Sequence, residues 1–206
     1  LPLFFQQQIN EYTRLGIWKI EENEAFFRGN VPQHRDVTHP HKRLQHLAGR
    51  FLLQFLFPDF PYELIQIADT RKPFLPDERY HFSISHCGDY AAALVSSRHR
   101  TGLDIEIPVE KIRAIEHKFL DPGEQHLLTL PGMPPPPSGA TMLWSTKEAI
   151  FKWYGEGGVD FRKHIRLEQV ETELETIRCR FEKPGTPLTV HYQLFEHLVL
   201  AWVISG

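Results

Sequence analysis

Hydrophobic residues predict two long helices, one in each half of the chain. In residues 42–57 they return every three or four positions, which is typical of an amphipathic helix, and Pro58 and Pro61 end it. Residues 140–154 are densely apolar, and Gly155 is placed to stop a second helix. Each half of the chain therefore has one long helix around which it can fold.

Shorter apolar runs between turn-forming residues predict β-strands. Residues 80–84 and 90–96 flank His86-Cys87-Gly88-Asp89, which is typical of a hairpin. The last run, 198–204, resembles 90–95, and an internal duplication and a chance likeness of two buried strands explain this about equally well. Further strands are predicted at 15–20, 102–107, 165–167, 177–181 and 188–195, short helical pieces at 25–28, 110–119 and 123–130, and a proline-rich loop at 131–139. The elements together predict an α+β fold.

Length, composition and charge exclude several classes of protein. With 206 residues, of which 41% are hydrophobic and 24% charged, the chain is expected to form one or two folded domains. Its longest apolar stretch, 198–204, is far shorter than the roughly 18 residues of a membrane span. A net charge of −3 gives no general attraction to nucleic acid or to a membrane surface. We expect neither as a partner.

The cysteine content indicates a reducing compartment. Cys87 and Cys179 are the only cysteines and form no Cys-x-x-Cys pair, so neither a disulfide framework nor a cysteine-rich zinc site is predicted. The chain begins at Leu1 rather than Met, and its first residues lack the pattern of a secretory signal. We therefore expect a cytoplasmic protein.

Two acidic residues lie one strand step apart in Asp104-Ile105-Glu106. Because side chains alternate along a strand, both carboxylates are expected on one face, where they form half of a site for a hard cation such as Mg²⁺. Solvated acids on the polar face of an edge strand are the alternative, and for such a motif alone they are the commoner explanation.

The second predicted helix carries Trp144, Glu148 and Lys152 at intervals of four residues, so the three share one face. An exposed ion pair between Glu148 and Lys152 would explain the spacing. The indole on the same face favours partial burial, and a partly buried carboxylate beside an ammonium is a candidate acid–base pair or metal ligand. Both interpretations stay open at this point.

Ser85 and His86 lie at the end of a predicted strand, where binding groups are often placed. Neighbouring residues on a strand face opposite ways, so we do not expect the two to form a nucleophilic pair. Ligand binding fits better, and an ordinary turn histidine is the alternative.

Basic residues are concentrated between residues 33 and 50. Cations on a helix face can hold phosphate groups, and Lys72, just before Pro73, is a candidate addition to them. A solvated helix face is the usual explanation of such a run. The residues concerned are Arg35, Lys42, Arg43 and Arg50, against Asp36.

Three motifs, taken in order, resemble those of the phosphopantetheinyl transferases. They are Phe82-Ser83-Ile84-Ser85-His86, Gly102-Leu103-Asp104-Ile105-Glu106, and Trp144-Ser145-Thr146-Lys147-Glu148-Ala149 with Lys152. One motif could arise by chance, but three in the family's order with similar gaps are specific, and the likeness is clear over residues 42–155. It implies an enzyme of the holo-acyl-carrier-protein synthase type. Such an enzyme transfers the 4′-phosphopantetheine arm of coenzyme A to a serine of an apo acyl or peptidyl carrier protein and releases adenosine 3′,5′-bisphosphate.

The resemblance also implies roles for particular residues. Asp104, Glu106 and Glu148 match the acids that hold Mg²⁺, and Lys152 matches the lysine that steadies or protonates the departing phosphate. The general base stays open between Glu148 and a water on the metal. The residues that match coenzyme A contacts are Arg43, Arg50, Lys72, Ser85 and His86.

The sequence departs from the family pattern at two positions. Arg71 stands where the family usually has Gly before Lys-Pro, and Cys87 stands where a small hydroxyl residue usually follows the histidine. These differences put the detailed coenzyme A contacts in doubt more than the activity. Glu124 resembles a further acidic position of the family, to which we assign no role from the sequence.

By its length the chain resembles the larger, monomeric members of the family. These have two similar halves related by pseudo-two-fold symmetry, with the active site in the cleft between them. We therefore expect an N-terminal half, residues 1–101, with the coenzyme A-binding helix and hairpin, and a C-terminal half, residues 102–206, with the acids, the catalytic helix and a strand-rich tail. Two alternatives are a Mg²⁺-dependent phosphodiesterase or pyrophosphatase on a nucleotide-like substrate and a non-catalytic module that binds coenzyme A or a carrier protein.

Overall fold

The computed structural model describes residues 2–32, 36–183 and 185–205. They form two compact units, one ending at Leu103 and the other running from Asp104 to Ser205. The helices described are α1 (Glu24–Arg28), α2 (Pro40–Leu56), α3 (Glu116–Phe119), α4 (Ser138–Tyr154) and α5 (Phe161–His164), with 3-10 helices at Tyr62–Leu64, Glu110–Ile115 and Pro122–Thr129. The strands are β1 (Leu3–Asn10), β2 (Thr13–Lys19), β3 (Gln66–Ile67), β4 (Pro73–Phe74), β5 (His81–Cys87), β6 (Tyr90–Ser96), β7 (Arg100–Glu106), β8 (Ile165–Glu171), β9 (Thr176–Phe181), β10 (Thr186–Leu194) and β11 (Val199–Ser205). The mixed fold of helices and sheets agrees with the pattern of the sequence.

The first unit is built on an antiparallel sheet in the order β1-β2-β6-β5. α2 packs on this sheet through fully buried side chains such as Leu47 and Leu52. The helix begins earlier than predicted because Pro40 takes a position in its first turn, where a missing N–H costs little. At Gly49 a Cβ atom would lie 2.6 Å from Cγ2 of Ile84, so the glycine allows α2 to approach β5 closely.

The predicted hairpin is confirmed by the pairing of β5 with β6. Ser83 lies opposite Leu94, Cys87 lies opposite Tyr90, and Gly88 takes a positive φ of 49° in the turn. A side-chain hydrogen bond of 2.7 Å from Nε2 of Gln45 to the carbonyl of Gly88 ties the turn to α2. The turn is therefore held in a fixed place relative to the helix.

The second unit contains a sheet in the order β7-β11-β10-β9-β8. Apolar side chains of α4, among them Leu143 and Ile150, share one core with Ala201 and Val203 of β11. The helix ends at Gly155, whose φ of 74° is the left-handed conformation that the sequence predicts at this stop. The predicted helical pieces in 110–130 are mostly 3-10 turns, with α3 between them.

Strand β1 is absent from the sequence prediction. It lies at an edge of the first sheet, pairs only with β2 among the described strands, and carries three consecutive glutamines, Gln6-Gln7-Gln8. Half of its positions are exposed and none is fully buried, so the apolar alternation that reveals a half-buried strand is missing. None of the helices described here has the length and apolar character needed to cross a membrane.

Candidate active site

The C-terminal end of β7 and one face of α4 bring four charged side chains together in the second unit. Asp104 and Glu106 leave β7 two residues apart, and Glu148 and Lys152 leave α4 four residues apart. The Lys152 Nζ lies 2.7 Å from Oδ1 of Asp104. Asp104 is 3% exposed, whereas the other three side chains are partly buried. We call these four residues the acidic cluster.

Burial and mutual repulsion dominate the electrostatics of the acidic cluster. Burial raises the pKa of Glu106 to about 7, and the charges of Asp104 and Glu148 add to this while that of Lys152 opposes it. Burial also raises the pKa of Glu148 to about 7, with a further contribution from Asp104 and an opposing one from Lys152. A cation placed among these groups would relieve the repulsion.

Trp144 connects the acidic cluster to an aromatic group. Its side chain lies near enough to Glu106 to oppose the increase in the pKa of that carboxyl. The indole packs against the rings of Phe119 and Phe161 at centroid distances of 5.2 and 5.4 Å. The helix face of Trp144, Glu148 and Lys152 is therefore partly buried, and the exposed ion pair considered above is wrong.

The donor set fits a hard divalent cation, because carboxylate oxygens are the protein ligands that Mg²⁺ prefers. The side chains as they stand do not enclose such an ion. In residues 2–32, 36–183 and 185–205, no group of three or more His, Cys, Asp or Glu side chains is close enough together to hold a metal. The cation beside Asp104 in this structure is the Lys152 ammonium.

The basic residues predicted to bind phosphate lie in the first unit, and two of them differ in their surroundings. Arg43 uses Nε and Nη2 for two hydrogen bonds of 2.8 Å to the carboxylate of Glu24. Its Nη1 donates to the carbonyls of Val37 and Thr38. Four of its five donor hydrogens are thus engaged, so Arg43 mainly fastens α1 and the segment before α2.

Arg50 is 3% exposed, and its Nε donates to Nε2 of His46 at 3.0 Å. Its buried Nη1 has no hydrogen-bond partner among the described residues, and burial lowers the pKa of the guanidinium. Of the two arginines, Arg50 therefore has more donor capacity for an anion.

Lys72 and the Ser85-His86 pair complete the set predicted for the first unit. Burial lowers the pKa of Lys72 to about 8, and the nearby charge of Arg100 adds to the effect. Ser85 is buried and His86 exposed, as expected of neighbours on a strand. Arg35, included in the basic run, lies outside the described residues.

Two residues without an assigned role form a second charged group in the second unit. The Nζ of Lys147 lies 2.7 Å from Oε2 of Glu124, and the side chains are 0% and 5% exposed. Helical geometry indicates that Lys147 lies apart from the acidic cluster. Adjacent residues of a helix point about 100° apart, so Lys147 lies away from the face of Glu148. The burial of Lys147 was not predictable from its residue type.

A groove of about 550 Å³ lies beside Trp144 in the second unit. It combines an aromatic and aliphatic surface with three basic side chains and one acid. The lining residues are Ile115, His117, Lys118, Trp144, Asp160, Phe161 and Arg162. The groove thus offers contacts to both a polar and an apolar portion of a ligand next to the indole of Trp144.

Comparison with known proteins relates this chain to one family. Enterobactin synthase component D of Escherichia coli (strain K12) is 32% identical over 127 residues, which cover 59% of this chain and 60% of that protein. The corresponding protein of Salmonella typhi is 31% identical over 118 residues, or 56% of this chain and 49% of its own length. The chain thus spans about half to three fifths of these relatives.

A further relative is matched over more of its length. The 4′-phosphopantetheinyl transferase AcpT of Escherichia coli (strain K12) is 29% identical over 156 residues, which cover 72% of this chain and 79% of AcpT. A sequence model of the 4′-phosphopantetheinyl transferase superfamily matches residues 100–203. That range is half of the chain and contains the whole acidic cluster. The chain belongs to the 4′-phosphopantetheinyl transferase superfamily.

Proposed function

We propose that this protein transfers the 4′-phosphopantetheine arm of coenzyme A to a serine hydroxyl of an apo carrier protein. The observation that carries the proposal is the acidic cluster: three carboxylates and a lysine, from a strand and a helix, meet inside the range that the superfamily model matches. AcpT, whose name states this activity, is matched over most of its length.

The reaction requires alignment and charge neutralisation more than covalent chemistry. The serine oxygen of the carrier protein attacks the phosphorus next to the pantetheine, the bond to the bridging oxygen breaks, and adenosine 3′,5′-bisphosphate leaves with the electron pair. The serine proton passes to a base, for which Glu148 is the candidate in this chain. We propose that Lys152, which is 26% exposed, stabilises the charge on the departing phosphate.

We propose Asp104, Glu106 and Glu148 as the ligands of Mg²⁺. When bound, such an ion neutralises the pyrophosphate and polarises its oxygens. Carboxylates that repel one another in a partly buried place have chemical reason to accept a divalent cation, and Lys152 opposes that repulsion in the structure. For this ion to bind, the side chains would have to draw closer together.

The residues of the first unit are proposed as coenzyme A contacts. Arg50 brings a buried guanidinium whose Nη1 has no hydrogen-bond partner among the described residues, and Lys72 brings a buried ammonium whose charge a phosphate would stabilise. Ser85 and His86 lie in β5 just before the turn that Gln45 fixes, and one donor hydrogen of Arg43 makes no bond to a described residue. The pseudo-two-fold relation of the halves and a cleft between them remain predictions.

Within the family, we propose a monomeric enzyme of the holo-acyl-carrier-protein synthase type that acts in the cytoplasm. The carrier is an acyl or peptidyl carrier protein, because both present a serine for the same arm. The nucleophile is then the serine hydroxyl of the carrier protein.

The experiment that tests this proposal measures the release of adenosine 3′,5′-bisphosphate by liquid chromatography and mass spectrometry. The protein is incubated with coenzyme A and Mg²⁺, with and without an apo acyl carrier protein. We expect release only when the carrier is present, and none with EDTA. Release without carrier would instead identify a hydrolase, and no release with several carriers would indicate a binding protein.

A further inference from the structure

The ion pair of Glu124 and Lys147 is enclosed in the second unit. The Lys147 ammonium donates three hydrogen bonds: 2.7 Å to Oε2 of Glu124, 2.9 Å to the carbonyl of Phe161 and 2.8 Å to the carbonyl of Ile165. An ammonium has three hydrogens to donate, so its capacity is fully used. No donor remains for a substrate.

The carboxylate of Glu124 is equally occupied. Its Oε1 accepts from the backbone N–H of Leu167 at 2.7 Å, and its Oε2 accepts from that of Asp121 at 2.8 Å as well as from Lys147. The pair therefore links α4 to the 3-10 helix Pro122–Thr129, to the first residue of α5 and to the start of β8. A displacement of α4 relative to these elements would break several charged hydrogen bonds at once.

Stability alone does not explain such a pair. Removing two charges from water is costly, and apolar residues of similar volume are often at least as stabilising in the same place. Burial lowers the pKa of Lys147, and the bond to Glu124 opposes this. What charged groups provide and apolar groups do not is directional fixing, because each bond restricts position and orientation.

The fixed element is the one that carries part of the acidic cluster. Glu148 follows Lys147 directly in α4, and Lys152 lies five residues after Lys147. Phe161, whose carbonyl accepts from Lys147, packs against Trp144 at 5.4 Å and Phe151 at 5.8 Å. Trp144 in turn shares the α4 face of Glu148 and Lys152. The pair is thus connected to the acidic cluster both through α4 and through the aromatic group.

We propose that Glu124 and Lys147 are positioning residues that set the rotation and axial position of α4, so that Glu148 and Lys152 face Asp104 and Glu106. The claim that these residues affect transfer rests on the proposed function. The claim that they position α4 does not, since it concerns the placement of Lys152 against Asp104.

The test is the double variant Glu124→Gln/Lys147→Met. It removes both charges, keeps an amide oxygen for the N–H of Leu167, and leaves every residue of the acidic cluster in place. We expect kcat for transfer to fall on the order of 10²-fold, as small misplacements of reacting groups do, with the KM for coenzyme A changed by less than about twofold. A crystal structure of the variant should show Lys152 and Asp104 separated beyond ion-pair distance.

Two further variants guard against an effect of stability alone. Ile177→Val removes one buried methyl group from the same core on β9 and should lower the melting temperature without changing kcat. Glu124→Asp keeps the carboxylate but shortens the side chain by one methylene group. This variant should fold and should lower kcat by about threefold. It serves as the test if the double variant does not fold.

The outcomes separate the two claims. A folded double variant with kcat within twofold of the parent and the Lys152–Asp104 pair intact would overturn the positioning role, as would an unchanged kcat in Glu124→Asp. If the parent protein itself transfers nothing, the proposed function fails. The crystal structure then still decides whether the pair positions α4.

Discussion

Lys147 and Lys152 leave the same helix five positions apart, and each lies 2.7 Å from a carboxylate oxygen of a buried acid. Their surroundings differ. Lys147 is fully buried and has all three hydrogens engaged, and its partner Glu124 accepts two backbone N–H groups. Lys152 is 26% exposed, and two further carboxylates stand near its partner Asp104. Equal distances thus accompany a closed network in one case and an excess of negative charge in the other.

This difference indicates how one helix serves two purposes. The closed pair has nothing left to offer a ligand, whereas the acidic cluster has more acids than its lysine can neutralise. A site for a cation and a phosphate needs an excess of negative charge, whereas a structural link needs balanced charges. Substitutions in the acidic cluster should therefore lower transfer without a loss of stability, whereas substitutions of the closed pair should lower stability and, through the placement of α4, transfer as well.

The largest effect is expected for Glu148→Gln. The amide keeps the shape but removes one negative charge from the acidic cluster, so transfer should fall on the order of 10³-fold or more, and Asp104→Ala should behave likewise. Stability should not fall, because burial and Asp104 disfavour the charge of Glu148. Steady-state kinetics and thermal melting check both points, and transfer at the parent rate would refute the site assignment.

Lys152→Met should lower kcat by roughly 10²-fold, since it removes the cation proposed to stabilise the departing phosphate. The KM for coenzyme A should change little if the lysine acts mainly in the transition state. Steady-state kinetics that determine kcat and KM separately provide the measurement. A raised KM with an unchanged kcat would instead make Lys152 a simple binding residue.

Lys147→Met should lower stability strongly, in addition to the loss of kcat that follows when α4 is no longer held in position. It leaves Glu124 charged and buried without its counter-ion, which is expected to lower the free energy of unfolding by about 3–5 kcal/mol. Urea denaturation measures this loss. Adding Glu124→Gln should recover part of it, because the uncompensated charge is then gone. A single variant as stable as the parent would show that the closed network is not formed as described.

Arg180→Ala is expected to have the smallest effect on stability. Arg180 pairs with Glu168 at 2.9 Å, but the side chains are 44% and 42% exposed, so solvent screens the interaction. The expected loss is below about 1 kcal/mol, with transfer unchanged. The same urea experiment applies, and a loss comparable to that of Lys147→Met would mean that burial does not distinguish these pairs.

Local periodicity predicts which residues of the acidic cluster share a face, and the resemblance of three motifs to one family singles them out. A strand places Asp104 and Glu106 on one face, and a helix places Trp144, Glu148 and Lys152 on another. The 2.7 Å contact between Lys152 and Asp104 brings these two faces together.

The rest depends on contacts between segments far apart in sequence. Arg43 is held by Glu24, 19 residues earlier, and Lys147 by Glu124, 23 residues earlier, and no spacing rule for a helix or strand reaches that far. The strand β1 escaped prediction because an exposed edge strand needs no apolar alternation. Tertiary packing, rather than local pattern, decides these features.

The most direct test of the central claim is the intact mass of a purified apo acyl carrier protein after incubation with this protein, coenzyme A and Mg²⁺. The account predicts a gain of one phosphopantetheine mass, which disappears with EDTA and with the Glu148→Gln variant. An unchanged carrier mass with several apo acyl and peptidyl carrier proteins, in the presence of folded parent protein, would contradict it.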